Sequence, residues 1–367
     1  MNIIYIEFNL NYYAPFLIKL KLAKTTAIIY HEDYLKHRQA AGHPERKERL
    51  AETINLFRDK GVFKSADLLT PKPAKEEDLL RVHTKEHVDC IKNLSLAGGG
   101  MLTLDTMVNP DTYEIAKLAA CGVILAGECV MQNKYKNSYA LIRPPGHHAK
   151  RNSAGGFCYF NNVSVMIKYL KEKYNLNKIL IFDFDAHAAN GVMDIFYRDM
   201  SVLNISVHQD PHTFYPGTGF IEQTGDMAGK GYTVNIPVLE CTSDADYVYI
   251  IKNFIFPIAK SFKPELIVVS VGTDSHKDDY MSGLCLTKAG YGVITNLMKE
   301  LAEKYCGGKI VLELEGGYNL SALAQSNLEI VNSLIGVSQA EVSGNPKAET
   351  VALVNELKEI FSRYHRI

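Results

Sequence analysis

No CxxC pair occurs among the seven cysteines of this 367-residue chain, and seven is an odd number. The pattern excludes a disulfide framework and a thiolate zinc knuckle, and it suits a reducing cytoplasm. Net charge is nearly absent too, since forty basic side chains face forty-one acidic ones. No broad field is left to hold nucleic acid, an anionic membrane or a strongly charged partner surface. A bilayer-spanning run is also missing. The first thirty residues, "MNIIYIEFNLNYYAPFLIKLKLAKTTAIIY", are rich in apolar side chains, but Glu7, Lys19, Lys21 and several asparagines interrupt them before a membrane span or a signal-peptide core is reached. Residues 1–25 read as an extension with no assigned role. Internal repeats and low-complexity linkers are lacking as well, so nothing divides the rest of the chain.

What is present is a 47% share of hydrophobic residues, enough to bury a large core. β-rich runs at 138–143, 178–185, 202–207, 231–238, 266–272 and 309–317 alternate with helical patterns near 111–132, 161–174, 244–262, 287–305 and 320–336. This alternation predicts an α/β fold with a largely parallel central sheet and helices on both faces. Long stretches at 31–50, 97–110, 143–162 and 208–226 read as functional loops, rich in His, Asp, Phe and Tyr.

In open α/β sheets ligands sit outside the carboxyl ends of the strands. Five of the runs here lead into polar side chains at that end: "SYALIR" into His147 and His148, "KILIFDFD" into Asp183, Asp185 and His187, "NISV" into His208, "LIVVSVG" into Asp274 and His276, and "KIVLELEGG" into Tyr318. Carboxylate and imidazole donors suit zinc, and a catalytic zinc commonly keeps three protein ligands with room for water and substrate. Asp185, His187 and Asp274 supply such a set. Asp183 shares the strand face of Asp185 and is placed to accept a hydrogen bond from a nearby imidazole. The plainer alternative is that Asp183 and Asp185 cap the next helix.

The motifs "HPERKERL", "RPPGHHA", "GFCYFNN", "DFDAHAANG", "SVHQD", "YPGTG", "SVGTDSHKDD" and "LEGGYN" run in order over residues 28–336. In this the chain resembles the zinc-dependent histone deacetylases, with the acetylpolyamine amidohydrolases and acetoin-utilisation deacetylases, in a class II-like pattern on the arginase–deacetylase fold. The resemblance implies one catalytic domain over 26–367, with its active site at the carboxyl ends of the strands. It implies a zinc ion, with ferrous iron the alternative, on Asp185, His187 and Asp274, and amide hydrolysis that yields a free amine and acetate. His147 and His148 match the tandem catalytic histidines, and His147, paired with Asp183, is expected to stay protonated. His148, partnered by Asn190, would take a proton from water and return one to the leaving amine. Tyr318 would donate to the substrate carbonyl and its oxyanion.

For the substrate channel, Phe157 and Tyr215 match the two aromatic walls, Gly156 is expected to let the substrate stem approach closely, and Asp105 resembles a rim aspartate that accepts from substrate amides. The His43-Pro44-Glu45 turn and Arg49 resemble a structural loop beside the acetate exit; read alone, Arg49 would be a solvated helix charge. A structural potassium ion is implied at Asp183, Asp185 and Ser206 with backbone carbonyls. The expected partner is an acetylated amine, whether protein lysine, polyamine or small metabolite, with no direct nucleic-acid or membrane association and with room for an oligomer. The chain departs from the family pattern at Ala188 and Ala189, where the resemblance implies a histidine and a glycine. That departure motivates a rival reading, a deacetylase-like binding protein with weak turnover. A binuclear manganese ureohydrolase of the same fold is the other rival, but Ala189 and Gly272-Thr273-Asp274 lack the further aspartates it needs.

Overall fold

Val, Ile and Leu dominate the short runs that become strands, and in the inner strands every residue is buried, the pattern of a sheet covered on both faces. The computed structural model describes residues 24–367; residues 1–23 of the expected extension lie outside the described residues. The strands are β1 (Thr26–Ile29), β2 (Asp67–Leu69), β3 (Gly100–Thr103), β4 (Thr106–Val108), β5 (Asn137–Ala140), β6 (Ile179–Asp183), β7 (Val202–Gln209), β8 (Thr233–Val238), β9 (Leu266–Val271) and β10 (Ile310–Leu314). Eight of them form one parallel sheet in the order β2-β1-β5-β10-β9-β6-β7-β8, and β3 and β4 form a separate antiparallel hairpin. Because all eight strands run one way, their carboxyl ends share one edge. The five strands with polar ends are neighbours there, in the order β5-β10-β9-β6-β7.

The helix Thr112–Met131, buried along most of its length, packs on β1, β5 and the helix Asn162–Tyr174. Leu320–Ile335 packs between Lys288–Cys306 and Glu48–Asp59. Lys288–Cys306 and Leu320–Ile335 begin at side-chain caps, Thr287 and Asn319, while Glu48–Asp59 starts from Lys47 with no side-chain cap.

All six expected strands form, but those expected at 178–185 and 309–317 end at Asp183 and Leu314. The polar residues that follow turn out of the ladder toward the site. Strands β1 and β2 and the helices Lys85–Leu96 and Ala348–Phe361 were not among the expected elements. The segment expected as a loop at 31–50 instead carries a 3₁₀ turn, Glu32–Lys36, and the start of the helix Glu48–Asp59, while 97–110 holds the β3–β4 hairpin. Residues 244–262 are helical throughout, widened at a π-turn, Ile251–Ile255, just before Pro257, which has no N–H to give to the preceding turn.

Candidate active site

Two residues past β6, Asp185 enters the site, its Oδ2 accepting the Gly316 N–H at 2.8 Å and its Oδ1 the His187 N–H at 2.9 Å. Asp274, in the turn after β9, accepts the Ala186 N–H at 3.0 Å through Oδ1. His187 Nδ1 lies 3.0 Å from Asp185 Oδ1 and 3.1 Å from Asp274 Oδ2, so one donor atom from each residue falls within 4.8 Å of the others. All three are buried. Space here depends on glycine: a Cβ at Gly316 would sit 2.3 Å from Asp274 Oδ2 and 2.5 Å from Asp185 Oδ2.

Two carboxylates converge, and among the described residues no lysine or arginine is bonded to them. Burial and then the charge of Asp185 push Asp274 up to about 6. Burial disfavours a charged His187, yet its bonds to Asp185 and Asp274 outweigh that and raise it to about 9. A divalent cation would replace that proton and neutralise both acids, and the carboxylate and imidazole donors fit one.

The tandem histidines after β5 sit side by side, ring centroids 4.0 Å apart, in opposite environments. His147 Nδ1 donates to Asp183 Oδ2 at 3.1 Å; burial opposes its charge, but Asp185, Asp183 and Glu315 together hold it well above the ordinary imidazole range. His148 Nδ1 meets Asn190 Oδ1 at 2.7 Å, which places its proton on Nδ1 and leaves Nε2 as a lone pair. Burial, then the charges of His147 and His187, hold His148 well below the ordinary range. Neighbouring imidazoles are thus pushed apart, one charged and one neutral.

Asn190 opens the helix Asn190–Phe196, and Gly191 and Val192 donate to the His147 carbonyl at 3.0 and 3.2 Å. Ala189 has φ −73°, so the turn needs no left-handed residue and the glycine expected there is dispensable. Ala188 is buried at the point where a Cβ on Gly219 would come within 2.6 Å of its own, beside His208. The two departures that motivated a weak-turnover reading leave the turn intact.

Phe157 and Tyr215 stand on either side. Phe157 is edge-on to Tyr318 at 5.9 Å and to His43 at 4.6 Å; Tyr215 is edge-on to His148 at 5.0 Å and 6.1 Å from His187. At Gly156 a Cβ would lie 2.3 Å from His148 Cδ2, so the missing side chain makes room for that imidazole. Asp105, between β3 and β4, accepts from Thr103 and Thr106 hydroxyls at 2.5 and 2.8 Å, and Thr106 Oγ1 in turn accepts the Phe157 N–H at 3.1 Å. Tyr318 is buried, with the Arg49 guanidinium 5.1 Å over its ring. Arg49 is not solvated: it is fully buried and donates to the carbonyls of Gly317 at 2.6 Å and Glu315 at 2.5 Å and to Glu45 at 3.2 Å. Glu45 also takes two bonds from Arg143. Beside Asp183, its sheet partner Ser206 has its hydroxyl 2.8 Å from His208 Nδ1.

Three contributors were not singled out in the sequence. Phe214 stacks on His187 at 4.6 Å. Asp279 accepts the N–H groups of Tyr318 and Asn319 at 2.6 and 2.8 Å, and Glu315 those of Gly146 and His147 at 2.7 and 3.2 Å. Asp279 and Glu315 lie inside the quoted motifs, which was the available signal; nothing local marks Phe214 beyond its place next to Tyr215.

A histone deacetylase domain model matches residues 43–334. The chain belongs to the histone deacetylase family. Among its relatives, a probable deacetylase of Archaeoglobus fulgidus is 44% identical over 314 residues, covering 85% of this chain and 86% of that one. A histone deacetylase-like amidohydrolase of Pseudomonas aeruginosa is 36% identical over 304 residues, covering 82% and 79%. In structure, the HDA15 HD domain superposes with a TM-score of 0.87 at 32% identity, covering 94% of this chain and 96% of that one. Family membership makes this deacetylase-family chain a hydrolytic enzyme acting on amides, and the ureohydrolase reading is set aside.

Proposed function

We propose that this deacetylase hydrolyses the amide of an N-acetylated primary amine, acetyl-lysine or a stem like it, with one divalent cation, zinc or ferrous iron, held by Asp185, His187 and Asp274. The observation that carries the reading is the tandem pair itself, His147 bonded to the Asp183 carboxylate and His148 to the Asn190 amide, with the His148 ring 5.8 Å from that of His187 in the buried Asp-His-Asp set. The cation supplies Lewis-acid polarisation of the amide carbonyl and acidification of water.

The chain's own residues supply the rest. His148 Nε2 accepts the proton of the attacking water and later delivers one to the leaving amine, which departs uncharged. His147, kept protonated by Asp183, adds positive potential beside the developing oxyanion. Tyr318 donates its hydroxyl to that oxygen; burial first, with Asp274 and Asp185 adding to it, holds the phenol well above its ordinary value, so it stays a donor. Phe157 and Tyr215 flank an extended methylene stem and exclude water from it. Asp105 steadies the substrate's flanking amides, in competition with its own threonines.

Residues 26–367 form the catalytic domain. A potassium ion beside Asp183, Asp185 and Ser206 rests on the resemblance; there Asp183 Oδ1 takes the Asp185 N–H, so backbone carbonyls would complete its shell. Seven free cysteines suit a reducing cytoplasm, and no helix of the described residues is long and apolar enough to cross a membrane. The test is a turnover screen of acetyl-lysine peptides, acetylputrescine, acetylspermidine and longer acyl-lysines with metal-assayed protein. Hydrolysis of at least one with a single catalytic metal per chain supports the proposal; two tight manganese ions with urea release from arginine or agmatine would overturn it.

A further inference from the structure

Behind the tandem histidines, Glu313 in β10 and Glu315, one residue past its end with its N–H still bonded to the Val271 carbonyl of β9 at 2.8 Å, occupy alternate positions along the chain, and both are fully buried. Glu315 Oε2 is committed to the N–H groups of Gly146 and His147. Glu313 Oε1 takes the hydroxyl of Ser270 on β9 at 3.0 Å. The other two oxygens, Glu313 Oε2 and Glu315 Oε1, are buried and receive no donor from the described residues, although the two carboxyls lie within hydrogen-bonding reach of each other.

Among the described residues no cationic side chain closes that gap. Arg49 turns its guanidinium to main-chain carbonyls and Glu45, and Arg143 is likewise engaged by Glu45 and the carbonyls of Tyr34 and His37. His147 directs its Nδ1–H to Asp183, whose own charge bears on both glutamates. Tyr139, on the neighbouring strand β5, gives its hydroxyl to Asn327. Two ionised carboxylates facing each other in such a place would leave both oxygens unsatisfied and repelling.

The geometry points to Glu313 as a neutral carboxylic acid whose Oε2–H donates to Glu315 Oε1, making Glu313 a positioning residue for the His147–His148 loop. One proton satisfies both orphaned oxygens. It leaves Glu315 free to hold the Gly146 and His147 amides, and the chain Ser270, Glu313, Glu315 then fixes the loop after β5 against β10 and β9. β9 is the strand that delivers Asp274. The order of acidities agrees: burial and then the charge of Glu315 hold Glu313 well above the ordinary carboxyl range, whereas Glu315, raised by burial to about 7, is drawn back by His147.

The protonation state stands apart from the proposed reaction; the positioning role rests on it. Infrared difference spectroscopy of the full chain at neutral pH, wild type against Glu313→Gln, tests the first. A deuterium-sensitive carbonyl stretch of a protonated carboxyl should be present in wild type and missing from the variant. Its absence from wild type, or its persistence in Glu313→Gln, overturns the inference whether or not any amide is hydrolysed.

The second part compares Glu313→Gln with Glu313→Leu at equal metal content. The glutamine amide can donate to Glu315 as the acid did, and leucine cannot, so kcat of the leucine variant should fall about tenfold or more below that of the glutamine variant with KM within about threefold. Equal kcat in the two variants, or a loss confined to KM, overturns the positioning role. If the leucine variant does not fold, Ser270→Ala, which frees Glu313 Oε1, takes its place with the same expected split between kcat and KM.

Discussion

Asp185, Asp274 and Glu315, on the floor of the site, each give oxygens to main-chain amides that follow other strands of the sheet, whereas Asp105 takes its two bonds from Thr103 and Thr106 of its own hairpin. Floor groups are buried; at the rim Tyr215 is 45% exposed and Leu104 is fully so. Phe157, between the two, sits at φ 66°, a conformation that costs a non-glycine residue roughly 1–3 kcal/mol and persists only where its surroundings impose it. Thr106 and the rings of His43 and Tyr318 do so here. The contrast assigns chemistry to the part locked by the sheet and substrate choice to the part that hangs on loops.

The comparison breaks most visibly if the floor is dispensable. Chelation, or Asp274→Ala, should abolish amide hydrolysis, with metal content falling in step and activity returning to the chelated wild type on metal addition. Next in size, Tyr318→Phe should lower kcat by about a hundredfold or more, because the hydroxyl matters most as charge grows on the carbonyl oxygen. Substrate should still bind, and near-wild-type turnover would remove Tyr318 from the reaction.

A smaller effect concerns the split between the histidines. His148 is held well below the ordinary imidazole range by burial and by the charges of His147 and His187, so it stays unprotonated, and active, to low pH. Asn190→Asp puts a negative charge beside Nδ1, favours the imidazolium and raises the His148 pKa. The acidic limb of kcat/KM against pH should move to higher pH, and an unchanged or downward-shifted limb at full metal occupancy would detach Asn190 from the base.

At the rim the changes should be the least. Asp105→Ala should raise KM for peptide substrates several-fold with kcat within about twofold, the mark of lost uniform binding. A fall in kcat matching that of Tyr318→Phe would erase the division between floor and rim. Between these extremes lies Tyr215→Phe, which keeps the ring against His148 and removes a hydroxyl that sits 3.5 Å from where a Gly155 Cβ would be; turnover should stay within about threefold.

How far the site could be read from the chain follows from what each residue's role depends on. Asp183, Asp185 and His187 were legible because they alternate at the end of an apolar run, a local pattern, although β6 itself ends at Asp183 and the turn after it carries the other two. The six strands β5 to β10 were legible as β-branched runs between helical patterns. Strands β1 and β2 were not, since a run of three or four residues carries little periodic signal. Gly156 and Ala189 show the opposite limit. The sequence could not show that the His148 ring packs against Gly156, nor that the turn at Ala189 runs at φ −73° and so has no need of the glycine expected there.

The sequence by itself determined an α/β chain with a polar residue set at the end of each of five strands, and a donor chemistry suited to one divalent cation. Only the tertiary structure decided that those five strands are consecutive neighbours, β5-β10-β9-β6-β7, although two of them come last in the chain. That adjacency brings Asp274 to His187 and Glu315 to the His147 amide across separations of 87 and 168 residues. The physical reason is range: strand alternation acts over two residues, while a buried carboxylate is stable only where distant chain supplies its hydrogen bonds, and no local pattern records which distant chain that is.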